Sequence, residues 1–308
     1  MKDLHALPRF GDGWSFLYVE HCRVDQEEKS IAIHDASGRT PVPCAMLSLL
    51  MLGPGTAISH AAARVLAESG CLVMWCGEEA VRFYATGLGE TRSSKNLLRQ
   101  AGAWADPSTR LRVVMEMYRM RFEEPVGEGI SLRELRGREG VRVREAYARA
   151  SAASGVAWQG RSYKRSDWRA ADPVNRALSC ANSCLYGICH AAIVAAGYSP
   201  AIGFIHTGKM LSFVYDIADL YKTEVSIPVA FAAARDGAEQ LETRVRRACR
   251  NAFKETRLLE RVIPDLERIF AEVEASDLGG GPYDSDDGMP SALWDPAGPV
   301  EGGVNRGE

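Results

Sequence analysis

The sequence predicts an α+β protein: a β-rich N-terminal domain followed by a mostly α-helical one. Three observations lead there. Between residues 14 and 87, short β-branched and aromatic runs alternate with turns rich in Gly, Pro and Asp. After a polar connector, LGETRSSKN, the apolar period becomes helical, as in LRVVMEMYRMRF at 111–122. From Asp277 onward the chain is too rich in Gly, Pro and Asp to build a core. The expected division is therefore 1–88, 89–276 and an acidic, disordered tail over 277–308.

In the first part, WSFLYVEHCRV (14–24), SIAIHDA (30–36) and AMLSLLML (45–52) read as strands, with DASGRTPVP as a turn. GPGTAISHAAARVLAESG (53–70) reads as a short helix that Thr56 or Ser59 caps and Gly70 ends. CLVMWCG and AVRFYATG complete the β-rich unit. GPGT is not a phosphate-cradling loop, because no Gly-Lys-Ser/Thr follows it.

In the second part, 131–151 reads as a helix whose apolar face runs through Leu132, Leu135, Val143, Ala146, Tyr147 and Ala150. Glu139 falls on that same face. A carboxylate there is costly unless it is paired or bound to a cation. A salt bridge to Arg136 or Arg142 answers the cost as well as a metal does. VAWQGRSYKRSDW (156–168) interleaves Trp and Tyr with Arg161, Lys164 and Arg165, a mixture that suits nucleic acid or a solvated connector. Residues 175–197 form an apolar helix of small residues. Residues 242–262 form an amphipathic helix with Arg244, Arg246, Arg247, Arg250 and Lys254 on and beside its polar face. This face reads either as a phosphate-binding surface or as a solvated one.

Residues 197–224, GYSPAIGFIHTGKMLSFVYDIADLYKTE, concentrate the chemistry. His206 sits in a Gly-flanked loop. Asp216 and Asp219 follow in an apolar run at i, i+3 spacing, which puts both acids on one helix face. A histidine and two acids on the rim of an apolar stripe outline a hard-metal site.

Composition sets further bounds. Apolar residues make up 46% and charged residues 25%, ordinary values for a globular protein. No apolar stretch approaches the roughly 18 residues of a membrane span, and MKDLHALPRFGDGW lacks a signal-peptide core, so a cytoplasmic address is expected. The eight cysteines show no paired CxxC spacing and read as reduced thiols. The net charge of −3 hides an asymmetry. The stretch from Asp277 has seven acids and one arginine, and removing its −6 leaves +3 for residues 1–276. A mildly basic body is compatible with a polyanionic partner.

LRGREGVRVRE, SCLYGICHAAIVAAGYSPAIGFIHTGKMLSFVYDIADLYK and GPGTAISHAAARVLAESGCLVMW together resemble the CRISPR spacer-acquisition integrase, subtype I-E. The similarity runs in order from about residue 14 to 275. The resemblance implies homodimers formed through the N-terminal domains, and a complex with a small second adaptation protein. It implies Mg²⁺- or Mn²⁺-dependent joining of prespacer 3′-hydroxyl ends, presented on double-stranded DNA with 3′ overhangs, to CRISPR repeat DNA, with associated endonuclease activity. The family's metal ligands carry over onto Glu139, His206 and Asp219, with Asp216 as an assisting acid. Arg64, Arg82, Arg161 and Arg246 match positions that grip DNA phosphates. Arg136, Tyr163, Tyr186, Lys209 and Tyr215 match residues that guide the single-stranded 3′ overhang. Ala57 departs from the pattern, standing where relatives can carry a phosphate-binding arginine.

Overall fold

The computed structural model describes residues 16–44, 47, 49–78, 83–87, 94–122, 124, 126–127, 129–161 and 172–273. The stretch read as one strand over 14–24 is two. β1 (Phe16–Val19) and β2 (Arg23–Glu27) belong to different sheets. The chain turns between them at His21, which has a φ of 49° and whose N–H donates to the Pro54 carbonyl at 2.9 Å. The expected turn DASGRTPVP instead carries β4 (Gly38–Val42), a hairpin partner of β3 (Ser30–Asp35). An edge position lets this strand accommodate Pro41.

The first sheet has the order β1-β5-β7-β8, with β5 (Leu49–Leu52) and β7 (Leu72–Cys76) parallel to β1 and β8 (Phe83–Gly87) antiparallel. The second has the order β4-β3-β2-β6, closed by the short β6 (Ala57–Ile58). Ser59 caps α1 (His60–Glu68) by accepting from the Ala62 N–H at 3.3 Å. The inner strands β5 and β7 are buried on both faces apart from Trp75, so they read as nearly continuous apolar runs, while β8 exposes Tyr84 at the edge. Alternation sorts their side chains. Leu50, Leu52, Cys71 and Val73 share a core with α1 and the second sheet, while Leu49, Met51, Leu72 and Met74 join the helical core. Full burial of each such leucine contributes about 2 kcal/mol.

The helical part comprises α2 (Lys95–Ala105), α3 (Pro107–Arg119), α4 (Leu132–Ser154), α5 (Pro173–Ala195), α6 (Ser212–Ala218), α7 (Ser226–Arg235), α8 (Leu241–Glu255) and α9 (Leu258–Ile269). The order of a β-rich part and then a mostly helical one is the α+β class expected. A capping box between Ser131 and Glu134 starts α4, and Gly155 ends it. The helix expected over 242–262 breaks at Arg257, whose φ of 50° turns the chain so that Leu258 and Val262 enter the core.

The 23-residue α5 is long and apolar enough to cross a membrane by length and composition alone, although no apolar stretch of that length was expected. Its Ser and Asn residues interrupt the run without lowering the mean enough to exclude it. Most of it is buried against the other helices, with 78% of the apolar window inside the protein. All eight cysteines are buried and none forms a disulfide.

His190 lies on α5 with 6% of its surface exposed, and burial pushes its pKa down to about 4. An unfolded histidine titrates near 6.5. The stabilisation is therefore complete above about pH 6.5 and is lost as pH falls towards 4, by about 1.4 kcal/mol per pH unit. Urea unfolding at pH 7.5 and pH 5 is expected to differ less in His190→Gln than in the wild type. An equal difference in both would refute the assignment.

Candidate active site

The loop between α5 and α6 carries His206 and is strapped on several sides. Gln100 of α2, fully buried, donates to the Ser199 and Ile202 carbonyls at 3.0 and 2.9 Å and accepts from the Ser199 N–H at 2.7 Å. Arg110 of α3 donates to the Phe204 carbonyl at 3.2 Å. Gly203 is required by close approach: a Cβ there would stand 2.3 Å from the His206 carbonyl oxygen.

Asp216 organises the loop from within. It is completely buried on α6. Its carboxylate accepts from the backbone N–H groups of Phe204, Ile205 and His206 at 2.6, 3.1 and 2.8 Å. The same carboxylate meets His206 Nδ1 at 2.7 Å. Because the carboxylate is already accepting from three donors, the ring nitrogen facing it is the N–H. That orients the ring and turns Nε2 to the open side. Asp219 stands there, its Oδ2 3.9 Å from Nε2. It is the C-cap residue just past the end of α6. The two acids expected on one helix face thus divide: Asp216 points into the protein and Asp219 lies at the rim.

Glu139 reaches the same place from α4. Its carboxylate accepts from Arg142 at 2.8 and 3.0 Å and from Arg121 at 3.3 Å. The second amino group of Arg121 lies 3.8 Å from Asp219 Oδ2, so one guanidinium stands between the two carboxylates. Lys222 pairs with Asp219 Oδ1 at 2.5 Å. Burial works against the Lys222 charge, but Asp219 and Tyr186 outweigh it and the pKa ends raised. Among the described residues, no three His, Cys, Asp or Glu side chains gather closely enough to hold a metal ion.

Beside this network runs a strip of rings and cations. Tyr186 and Tyr215 meet edge to face at 5.0 Å, and Tyr215 meets His206 at 5.9 Å. Lys222 lies over the Tyr186 ring at 5.1 Å, and the exposed Lys209 over the Tyr215 ring at 5.9 Å.

The other expected DNA contacts are dispersed. Arg136 is exposed on α4. Arg64 is exposed on α1, 3.7 Å from Glu68. Arg161 donates to the Asn175 carbonyl at 3.3 Å. Arg246 is mostly buried and pairs with Glu78 at 2.6 Å. Arg82 and Tyr163 lie outside the described residues. Sequence reasoning missed Arg121, Lys222 and Gln100. Lys222 had a signal, three residues after Asp219; Gln100 had none.

Comparison with known proteins gives the family. Residues 116–250 match the family described as CRISPR associated protein Cas1. A CRISPR-associated endonuclease Cas1 of Thermus thermophilus is 57% identical over 99% of this chain and 94% of its own. One from Escherichia coli is 42% identical over 94% of both. The crystal structure titled TtCas1-DNA complex superposes with a TM-score of 0.77 at 59% identity, covering 86% of this chain and 99% of that one. A casposase bound to integration product shares the fold alone, with a TM-score of 0.59 at 14% identity. Identity of this order, over nearly the full length of both partners, shows that the chain belongs to the Cas1 family of CRISPR-associated endonucleases.

Proposed function

We propose that this enzyme is the metal-dependent integrase of subtype I-E CRISPR spacer acquisition. It joins the 3′-hydroxyl ends of a prespacer, double-stranded DNA with 3′ overhangs, to the ends of a CRISPR repeat by transesterification. It cuts DNA by hydrolysis when water takes the place of the hydroxyl. The observation that carries the reading is the convergence of Glu139 and Asp219 on the Arg121 guanidinium, with His206 Nε2 3.9 Å from Asp219, beside a strip of rings and cations. The DNA in the TtCas1-DNA complex supports a nucleic-acid substrate here.

The donor set fits Mg²⁺ or Mn²⁺. Two carboxylates suit a hard cation, and the open His206 Nε2 favours ready acceptance of Mn²⁺. Bound by Glu139, His206 and Asp219, the ion would polarise the scissile phosphate and lower the pKa of the attacking hydroxyl or water. Asp216 holds the His206 ring in its ligating orientation. Lys222 and Arg142 offer charge to a phosphate. Tyr186 and Tyr215 offer faces for unpaired bases, with Lys209 and Arg136 beside them. Arg64, Arg82, Arg161, Arg246 and Tyr163 extend the contact to the duplex and overhang. The reading includes a cytoplasmic homodimer formed through residues 1–88, a catalytic unit over 89–276, an acidic tail over 277–308, and a small second adaptation protein as partner.

The test is a strand-transfer reaction. The partner protein, Mg²⁺ or Mn²⁺, a prespacer with free 3′-hydroxyls and a supercoiled plasmid carrying the repeat are expected to give covalent half-site products. A prespacer with 3′-deoxy ends gives none. Plasmid cleavage without prespacer incorporation would favour a structure-selective nuclease of branched DNA, which the relatives' description as endonucleases keeps in view. DNA binding with no metal-dependent product would leave only a non-enzymatic scaffold.

A further inference from the structure

Arg121 stands where a shared cation would have to enter. It follows α3, and its side chain is only 3% exposed. One amino group meets Glu139 Oε1 at 3.3 Å, and the other lies 3.8 Å from Asp219 Oδ2. The Tyr118 ring backs the guanidinium at 4.9 Å. Its Nε and second amino group are buried without a hydrogen-bond partner. A buried guanidinium with two of its nitrogens unsatisfied is held by charge more than by hydrogen bonding.

The carboxylates show the counterpart of this arrangement. Ligands of a hard divalent cation lie about 2.1 Å from it, so two ligating oxygens stand within about 4 Å of each other. Here each carboxylate instead faces an Arg121 amino group, Glu139 at 3.3 Å and Asp219 at 3.8 Å. The described side chains accordingly form no ready cluster of three metal donors, although Glu139 and Asp219 converge on one point. Arg142 and Lys222 do not share this position. Among the described residues, Arg142 pairs with the acid Glu139 and also donates to Thr223 at 2.7 Å, and Lys222 pairs with the acid Asp219 and lies over the Tyr186 ring.

We propose that Arg121 is an internal stand-in for the metal, a positioning residue that holds Glu139 and Asp219 together and opposes cation entry until it is shifted off at least one of them. The inference rests on the metal-site reading above. It has two opposed effects: Arg121 keeps two acids in place that would otherwise repel each other, and it competes with the ion they are placed to bind. A purely structural arginine would have only the first effect. Its removal would then loosen the site and weaken metal binding.

The experiment measures Mn²⁺ binding to the full chain without DNA, from loss of the free-Mn²⁺ electron paramagnetic resonance signal. Arg121→Gln is expected to bind Mn²⁺ about 10-fold more tightly than the wild type, as loss of one unit charge beside the ion requires. Arg121→Lys, which keeps a cation but cannot bridge both acids, is expected to fall between them and guards against misfolding of the glutamine variant. Mn²⁺ is also expected to raise the melting temperature of Arg121→Gln more than that of the wild type. Unchanged or weaker binding in both variants, with binding abolished by Asp219→Asn, would overturn the role of Arg121 while leaving the metal site standing. Binding that Asp219→Asn does not affect in any background would overturn both.

Discussion

Alanine at His206 is expected to lower metal-dependent DNA cleavage and strand transfer on the order of 10³-fold, with little change in folding. The imidazole is 42% exposed, so little apolar surface is lost. Its partner Asp216 keeps three backbone donors, and the lost hydrogen bond costs about 1 kcal/mol. The substitution therefore separates chemistry from stability. Glu139→Ala does not separate them as well. It would leave the buried Arg121 facing only Asp219 at 3.8 Å, and stranding a buried charge costs about 3–5 kcal/mol. Glu139→Gln and Asp219→Asn keep the shape and an acceptor oxygen while removing the charge. His206→Ala, Glu139→Gln and Asp219→Asn are to be compared by urea unfolding and by turnover of branched DNA with Mg²⁺ or Mn²⁺. Wild-type turnover in His206→Ala would remove His206 from the site.

Asp216→Ala is expected to act in the opposite way, through the fold. Three backbone N–H groups would lose their acceptor inside the protein. Each buried unsatisfied donor costs about 1–3 kcal/mol, so a total near 4 kcal/mol is expected once the loop relaxes towards water. Activity falls with it, because Nδ1 loses the partner that fixes the ring. Asp216→Asn makes a sharper probe. Its amide oxygen can still accept from part of the loop, but its NH₂ opposes the remaining donors. A smaller loss of stability and a large loss of activity are expected. Unfolding midpoints measured with turnover in both variants decide the matter. If Asp216→Ala unfolds like the wild type, the carboxylate is not what holds the loop.

These two expectations show where sequence reading succeeds. His206, Asp216 and Asp219 fall within 14 residues, and local spacing suffices to group them. Glu139 betrays itself as an acid on an apolar helix face, and Arg142, one of the two salt-bridge partners that face suggests, does hold it. Spacing does not separate the roles of Asp216 and Asp219, because their difference depends on which way the loop before α6 folds back. Arg121 and Gln100 escape for the same kind of reason. Each meets the site across a long stretch of chain, 18 residues to Glu139 and 99 to Ser199, and neither stands out from its own neighbours. In the fold, helices with a clear period are found where expected. The breaks at His21 and Arg257 are not, since non-glycine residues with positive φ leave no pattern in composition.

The first sheet has a consequence for anyone who divides this protein. A cut near residue 88 looks natural in the chain, where a polar connector separates strands from helices. Yet Leu49, Met51, Leu72 and Met74 occupy the same buried cluster as Leu185, Ile188, Ala191 and Ala192 of α5. A catalytic fragment prepared without the strands would carry that face of the cluster bare into water and would have to find another apolar surface to cover it. Truncation is thus a route to aggregation, and heat or denaturant should melt the strands and helices in one cooperative step.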